Sequence, residues 1–408
     1  MPLIENSNYA APPMLRGKHL ATILPSIFRS VPDAPYRRER MELDDGDFLD
    51  LDRVQITPDN HRLIILSHGL EGDSRGKYIL GMVRAFTGAG WDALAWNFRG
   101  CSGEDNRLLR TYHGGASDDL ARVVERALLY GQYSEIVLCG FSMGGNITLK
   151  YLGEQSTKID KRIRAAVAFS VPCHFADCSQ VLAHKSNRVY MWKFLKTLRE
   201  KVRTKKARFP DEVDDTDLHL IKDFLGFDER FTAPTNGFRD AMDYWTSVSS
   251  RQFLNAIRVP ALLVNAQNDP FLAPTCFPYD EARESPWLHF EAPEHGGHVG
   301  FAHFKNGTSR GKGLYWSEQR ALAFVESALN AAAQSKTPSP GRRKPAAQKA
   351  TKKAAKKAAK KTAMKKKSGA HKPAAKAAGR SAKAAAKKKT AKKSKQTGGA
   401  RKKATRRA

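Results

Sequence analysis

The stretch Glu135-Ile-Val-Leu-Cys-Gly-Phe-Ser-Met-Gly-Gly-Asn-Ile-Thr-Leu-Lys-Tyr-Leu-Gly-Glu154 decides the fold. Glu135–Cys139 is an apolar run that predicts a buried strand, and Asn146–Glu154 has the spacing of a helix. Between them Gly140-Phe141-Ser142-Met143-Gly144 is a G-x-S-x-G pentamer, which has to turn the chain sharply. Small-residue pentamers recur by chance; a strand before this one and a helix after it make it specific. Such a turn pushes Ser142 out at the carboxyl end of the strand. Its hydroxyl then meets a helix N-terminus, where backbone N–H groups favour developing negative charge. Gly140 and Gly144 let neighbouring backbone pass close by. The plain alternative is an ordinary glycine-rich turn.

Working outward, short apolar runs alternate with helical ones. Arg62–Ser67, Trp91–Asn97, Glu135–Gly140, Ile163–Ser170, Pro260–Ala266 and Trp287–Glu291 predict strands. Ser117–Tyr130 carries an apolar stripe at helical spacing, with Ser117 as expected N-cap and Asp118 and Asp119 in the first turn. A second stripe marks Ser317–Asn330. The alternation predicts an α/β protein with a mostly parallel sheet flanked by helices. Tyr36–Leu43 and Phe48–Val54, around Asp44-Asp45-Gly46-Asp47, predict an antiparallel hairpin in front of it. From about 172 to 256 the rhythm stops: aromatic and charged residues without a clear strand predict a helical cap insertion above the sheet. Ordinary crossover helices are the alternative.

A serine hydroxyl attacks a carbonyl only when a base takes its proton and a carboxylate orients that base. In chain order the acid and then the histidine follow the serine. Asp269, in ALLVNAQNDPF just past an apolar run, is the candidate acid. EAPEHGGHVGF offers His295 and His298, and both remain open on chemistry alone. The backbone N–H of Met143, after the serine, is one expected oxyanion donor. Leu70, following His68-Gly69 at the end of LIILS, is the other. His68 is expected to brace its loop. No cofactor fingerprint and no zinc-ligand spacing is present, so no cofactor and no metal is expected.

The chain has 408 residues, 70 Lys+Arg, 41 Asp+Glu and a formal net charge of +29. From Ala331 onward lie 29 of the basic residues and no acidic one, which leaves 41 against 41 upstream. The excess charge therefore belongs wholly to the last fifth of the sequence. This divides the chain into a domain over 1–333 and a disordered basic tail over 334–408, built from Lys, Ala, Arg, Pro, Ser and Thr. The repeat TKKAAKKAAKK lies within it. Such a tail predicts sequence-independent, salt-sensitive binding to nucleic acid; an anionic membrane surface is the rival partner. Five scattered cysteines exclude a disulfide framework, and Cys139 reads as a core residue. No secretory signal and no transmembrane span is predicted, and a cytoplasmic setting, with nucleoid or membrane-surface association through the tail, is expected.

Several separated motifs resemble one family in their order. PPMLRGKHLATILP, HGLEGDSRGKY, GWDALAWNFRGCSG, YHGGASDDL, GFSMGGN, FTAPTNGF, NDPF and HGGHVGF are similar to the YheT-like branch of the α/β-hydrolases, which includes ABHD1/ABHD3-type proteins. The resemblance runs from about Tyr9 to Asn330. It implies an α/β-hydrolase fold, a Ser142–Asp269–His298 triad that selects His298 over His295, and the Leu70 and Met143 oxyanion pair. It also implies a serine esterase or lipase acting on a small ester or lipid such as an acylglycerol or phospholipid. His113 and Arg99 fall in family-like motifs and are assigned to scaffold hydrogen bonding. The tail resembles those of histone H1 and bacterial histone-like proteins. The rival function is a nucleic-acid-binding protein that uses a hydrolase fold as a scaffold.

Overall fold

Nine strands form one sheet: β1 (Leu3–Ile4), β2 (Arg37–Glu42), β3 (Phe48–Val54), β4 (Arg62–Ser67), β5 (Asp92–Trp96), β6 (Glu135–Phe141), β7 (Ile163–Phe169), β8 (Ala261–Val264) and β9 (Leu288–Glu291). The computed structural model describes residues 3–303 and 315–336. Strand order is β1-β9-β8-β7-β6-β4-β5-β3-β2. All neighbours from β1 to β5 run parallel, and β3 pairs antiparallel with both β5 and β2. The expected hairpin is therefore the antiparallel edge of a parallel sheet.

The strands are apolar on both faces because helices cover both. Leu63 and Ile65 of β4 pack on one side with Ile136 and Leu138 of β6, while Ile64, Leu66, Val137 and Cys139 pack on the other. α3 (Ser117–Leu129) and α4 (Met143–Gln155) cover the first side through Leu120, Val123 and Ile147. α2 (Lys77–Gly88) and the C-terminal helix Trp316–Lys336 cover the second through Met82, Phe86 and Phe324. Burial of each such Leu, Ile or Phe contributes about 2 kcal/mol.

Between β7 and β8 there is no strand, as the composition predicted. α5 (Phe175–Ala183) and α6 (Arg188–Arg208) share a core of their own with Phe227 and Phe231, including Leu182, Leu195 and Leu198. The last turn of the insertion, Ser250–Ala256, instead packs on α4, where Ser250 N–H donates to Asn146 at 2.8 Å.

Three details differ from expectation. α1 (Lys18–Phe28) lies in a segment for which no element was predicted. Ser117 is the first helical residue and not the N-cap, which is Ala116. Its hydroxyl donates to Glu154 at 2.6 Å and accepts from Lys150, tertiary partners that replace the cap bond. The C-terminal helix runs past Asn330 to Lys336 because Ala331–Ala333 are strong helix formers. It takes up 334–336, and the expected disorder of the rest of the tail lies outside the described residues.

A Cβ on Gly144 would stand 2.3 Å from the carbonyl oxygen of His68, and one on Gly140 would stand 2.4 Å from that of Gly144. Backbone cannot yield as a side chain can. Gly144→Ala is expected to destabilise the fold by about 3 kcal/mol or more, measured by denaturant unfolding against wild type.

Candidate active site

Ser142 connects β6 to α4 with φ +52° and ψ −120°, a conformation rare for a residue with a side chain. Its N–H donates to Phe169 O at 2.8 Å, and its carbonyl accepts from Asn146, opening α4. The serine thus stands at the carboxyl end of the parallel strands, on a helix N-terminus.

Asp269 follows β8 and His298 follows β9. Ser142 Oγ lies 2.9 Å from His298 Nε2, and His298 Nδ1 lies 2.8 Å from Asp269 Oδ2. A carboxylate only accepts, so Nδ1 carries the proton and Nε2 is left to accept from the serine. The Asp269 side chain is fully buried and that of His298 is 10% exposed. Phe271 N–H donates to Asp269 Oδ1 at 2.9 Å, and the Phe271 ring lies 4.2 Å from the imidazole. His295 lies outside this line of contacts; its Nε2 is 3.6 Å from Glu294.

The histidine loop is held from elsewhere in the chain. His298 N–H donates to Thr22 Oγ1 of α1, Gly297 N–H to Asn268 and Val299 N–H to Ser170 Oγ, each at 2.9 Å. A Cβ on Gly300 would stand 2.1 Å from Ala21 O, so the loop lies directly against α1. Thr22, Ser170 and Asn268 escaped the sequence reading, although Thr22 lies in the quoted PPMLRGKHLATILP motif.

The loop after β4 runs beside the serine. Gly69 N–H donates to Tyr78 Oη at 2.9 Å and Glu71 N–H to Tyr112 Oη at 3.2 Å. Leu70 lies between them and lines the same cavity as Ser142 and Met143. Met143 opens α4, where helix N–H groups lack intrahelical acceptors. His68 braces this loop. Its ring bonds Gly69 O at 2.8 Å, accepts Phe98 N–H at 3.1 Å and lies 3.8 Å from the Phe98 ring, tilted against it. Full burial pushes its pKa down to about 3, which leaves it neutral. Arg99 is locked between Asp45, Asp47 and Asp119, and His113 Nδ1 accepts Gly115 N–H at 3.2 Å. The Arg99 contacts are scaffold contacts, whereas His113 also borders the cavity beside Ser142.

An apolar cavity of about 150 Å³ opens beside Ser142 and His298, lined by Phe175, Phe194, Leu198, Phe227, Phe231 and Phe271 among others. The buried carboxylate of Asp228, in its lining, accepts from Thr232 at 2.6 Å and from Trp245 Nε1 at 2.8 Å. No group of three potential metal ligands comes together among the described residues. No described helix is long and apolar enough to cross a membrane.

A parallel sheet with a serine turn, a buried histidine–carboxylate pair and a helical insertion over an apolar cavity defines an α/β-hydrolase. The sequence family described as serine aminopeptidase, S33, matches residues 58–276. Escherichia coli YheT, named as an esterase, is 34% identical over 289 residues, spanning 69% of this chain and 84% of its own. Mouse ABHD3, named a phospholipase, is 30% identical over 288 residues, 69% of this chain and 70% of its own. The monoacylglycerol lipase of Saccharomyces cerevisiae is 28% identical over 255 residues, 61% of this chain and 56% of its own. The chain belongs to the YheT-like, ABHD3-type branch of the α/β-hydrolases.

Burial pushes the Asp228 carboxyl up to about 6, against the hydrogen bonds from Thr232 and Trp245. Between about pH 4 and pH 6 the folded chain keeps a proton here that the unfolded chain has lost. The associated stability is present below about pH 4 and disappears as pH rises through 6. Asp228→Asn is expected to gain stability relative to wild type between pH 5 and pH 8, read by denaturant unfolding at both.

Proposed function

We propose that this carboxylic ester hydrolase works through an acyl-enzyme on Ser142, with His298 as base and Asp269 as its orienting carboxylate. The observation that supports this most is the unbroken line Ser142–His298–Asp269, at 2.9 and 2.8 Å, beside an apolar cavity. Ser142 Oγ attacks the ester carbonyl while His298 Nε2 takes its proton. The carbonyl oxygen becomes an oxyanion facing the Leu70 and Met143 N–H groups. As the tetrahedral species collapses, the leaving alkoxide takes the proton from His298. Water then attacks the acyl carbonyl, gives its proton to His298 and releases the acid, and Ser142 recovers the proton. Asp269 holds the imidazole in place and steadies the imidazolium.

The aromatic and aliphatic lining favours an acyl chain over a polar acyl group. With relatives named phospholipase and monoacylglycerol lipase, the substrates proposed are small esters or lipids, acylglycerols and phospholipids included. A serine-reactive fluorophosphonate is expected to label the folded protein at Ser142, located by peptide mass. Ser142→Ala is expected to lower kcat by about 10^4-fold or more. Folded protein that stays unlabelled would refute the assignment.

We further infer that the basic tail binds polyanions. Its support is composition alone: lysine and arginine without any acidic residue. Ending the chain after Lys336 keeps the whole C-terminal helix. That truncation is expected to hydrolyse a short soluble ester within twofold of the full chain while no longer retarding DNA in a gel. Retardation by the truncated protein would assign binding elsewhere. A salt titration against DNA and anionic vesicles separates the two partners.

A further inference from the structure

Lys201 belongs to α6 in the helical insertion, yet its ammonium reaches the loop that follows β4. Nζ lies 3.0 Å from Glu71 Oε1, 3.1 Å from Cys101 Sγ and 4.7 Å above the centre of the Tyr112 ring. Glu71 is the residue after Leu70, and its backbone is left-handed, with φ +55°. A residue with a side chain keeps that conformation only where its surroundings impose it.

Two residues impose it here. Glu71 N–H donates to the Tyr112 hydroxyl, and that hydroxyl donates back to Glu71 Oε1, closing a ring on one residue. Burial, and then the charge of Glu71, push the Tyr112 phenol well above its usual range, so it keeps the proton it donates. Lys201 supplies the countercharge for the same oxygen. The Glu71 side chain is only 10% exposed, so an unmatched carboxylate there would be costly. On the other side of Leu70, Gly69 N–H is fixed by Tyr78. The peptides flanking Leu70 are thus anchored at both ends, one of them through the insertion.

We propose that Lys201 is a positioning residue for ester hydrolysis: through Glu71 and Tyr112 it holds the loop that aims the Leu70 N–H at the reacting carbonyl. The oxyanion donor is then complete only when α6 is seated over the sheet. This rests on the acyl-enzyme assignment above. Lys201 also lines the cavity, so its rival role is to pair with an anionic group on the substrate. The ammonium already has Glu71 for a partner, which favours positioning.

The test compares Lys201→Met, Lys201→Arg and Glu71→Gln in the full chain, using a neutral short ester. Active sites are counted by fluorophosphonate uptake at Ser142, so misfolded protein does not enter kcat. Lys201→Met and Glu71→Gln are expected to lower kcat 10- to 100-fold with KM within about twofold. That is less than removing an oxyanion donor outright, about 10^2–10^3-fold, because the N–H remains but is poorly aimed. Lys201→Arg, which still reaches the carboxylate, is expected to recover most of the loss. A trifluoromethyl ketone, which forms a tetrahedral adduct, should weaken in step with kcat. An unchanged kcat per site in Lys201→Met would overturn the proposal, as would a loss seen only with anionic esters. A wild-type chain without a titratable Ser142 would overturn the acyl-enzyme assignment and this inference together.

Discussion

Backbone touches backbone where β6 turns into α4, and the rest of the site follows from that approach. A Cβ on Gly144 would collide with the carbonyls of Ser67 and His68, so the end of β4 and the start of α4 lie as close as two chains can. That closeness brings the loop carrying Leu70 alongside the N–H groups that begin α4. It also forces Ser142 into its left-handed conformation, off the strand and out of the helix ladder. Strain of this kind costs about 1–3 kcal/mol and persists because the packed sheet on both sides outweighs it.

The second constraint is that a histidine on a loop has to be oriented before substrate arrives. A loose imidazole would lose much of its benefit to reorganisation. Here the backbone on both sides of His298 is tied to Asn268, Thr22 and Ser170, which come from three distant parts of the chain. The buried Asp269 and the ring of Phe271 then fix the imidazole itself. α1 therefore serves the site although it adds no residue to either apolar layer on the sheet.

Strand positions were legible in the sequence because a parallel sheet covered on both faces needs continuous apolar runs, and RLIILS, EIVLC and IRAAVAF have little other use. The serine turn was legible because its two glycines answer a local steric demand. The histidine was harder: residue chemistry kept His295 open beside His298, and the family resemblance selected His298, whose Nε2 lies 2.9 Å from Ser142 Oγ. α1 was missed and the cap of α3 misjudged for one reason. Their partners, the histidine loop for α1 and Glu154 and Lys150 for Ser117, are tertiary, and local propensity carries no trace of them. The ring between Glu71 and Tyr112 was invisible for the same cause, since 41 residues separate its members.

The proposed acyl group on Ser142 is a covalent species that can be caught during turnover. Rapid mixing with an excess of p-nitrophenyl ester, followed by acid quench and peptide mass analysis, tests it most directly. Every acylated peptide is expected to carry the acyl mass on Ser142, in an adduct that forms and decays fast enough to support turnover. Turnover without any acyl adduct on Ser142, or with the acyl group on a different residue, would contradict it.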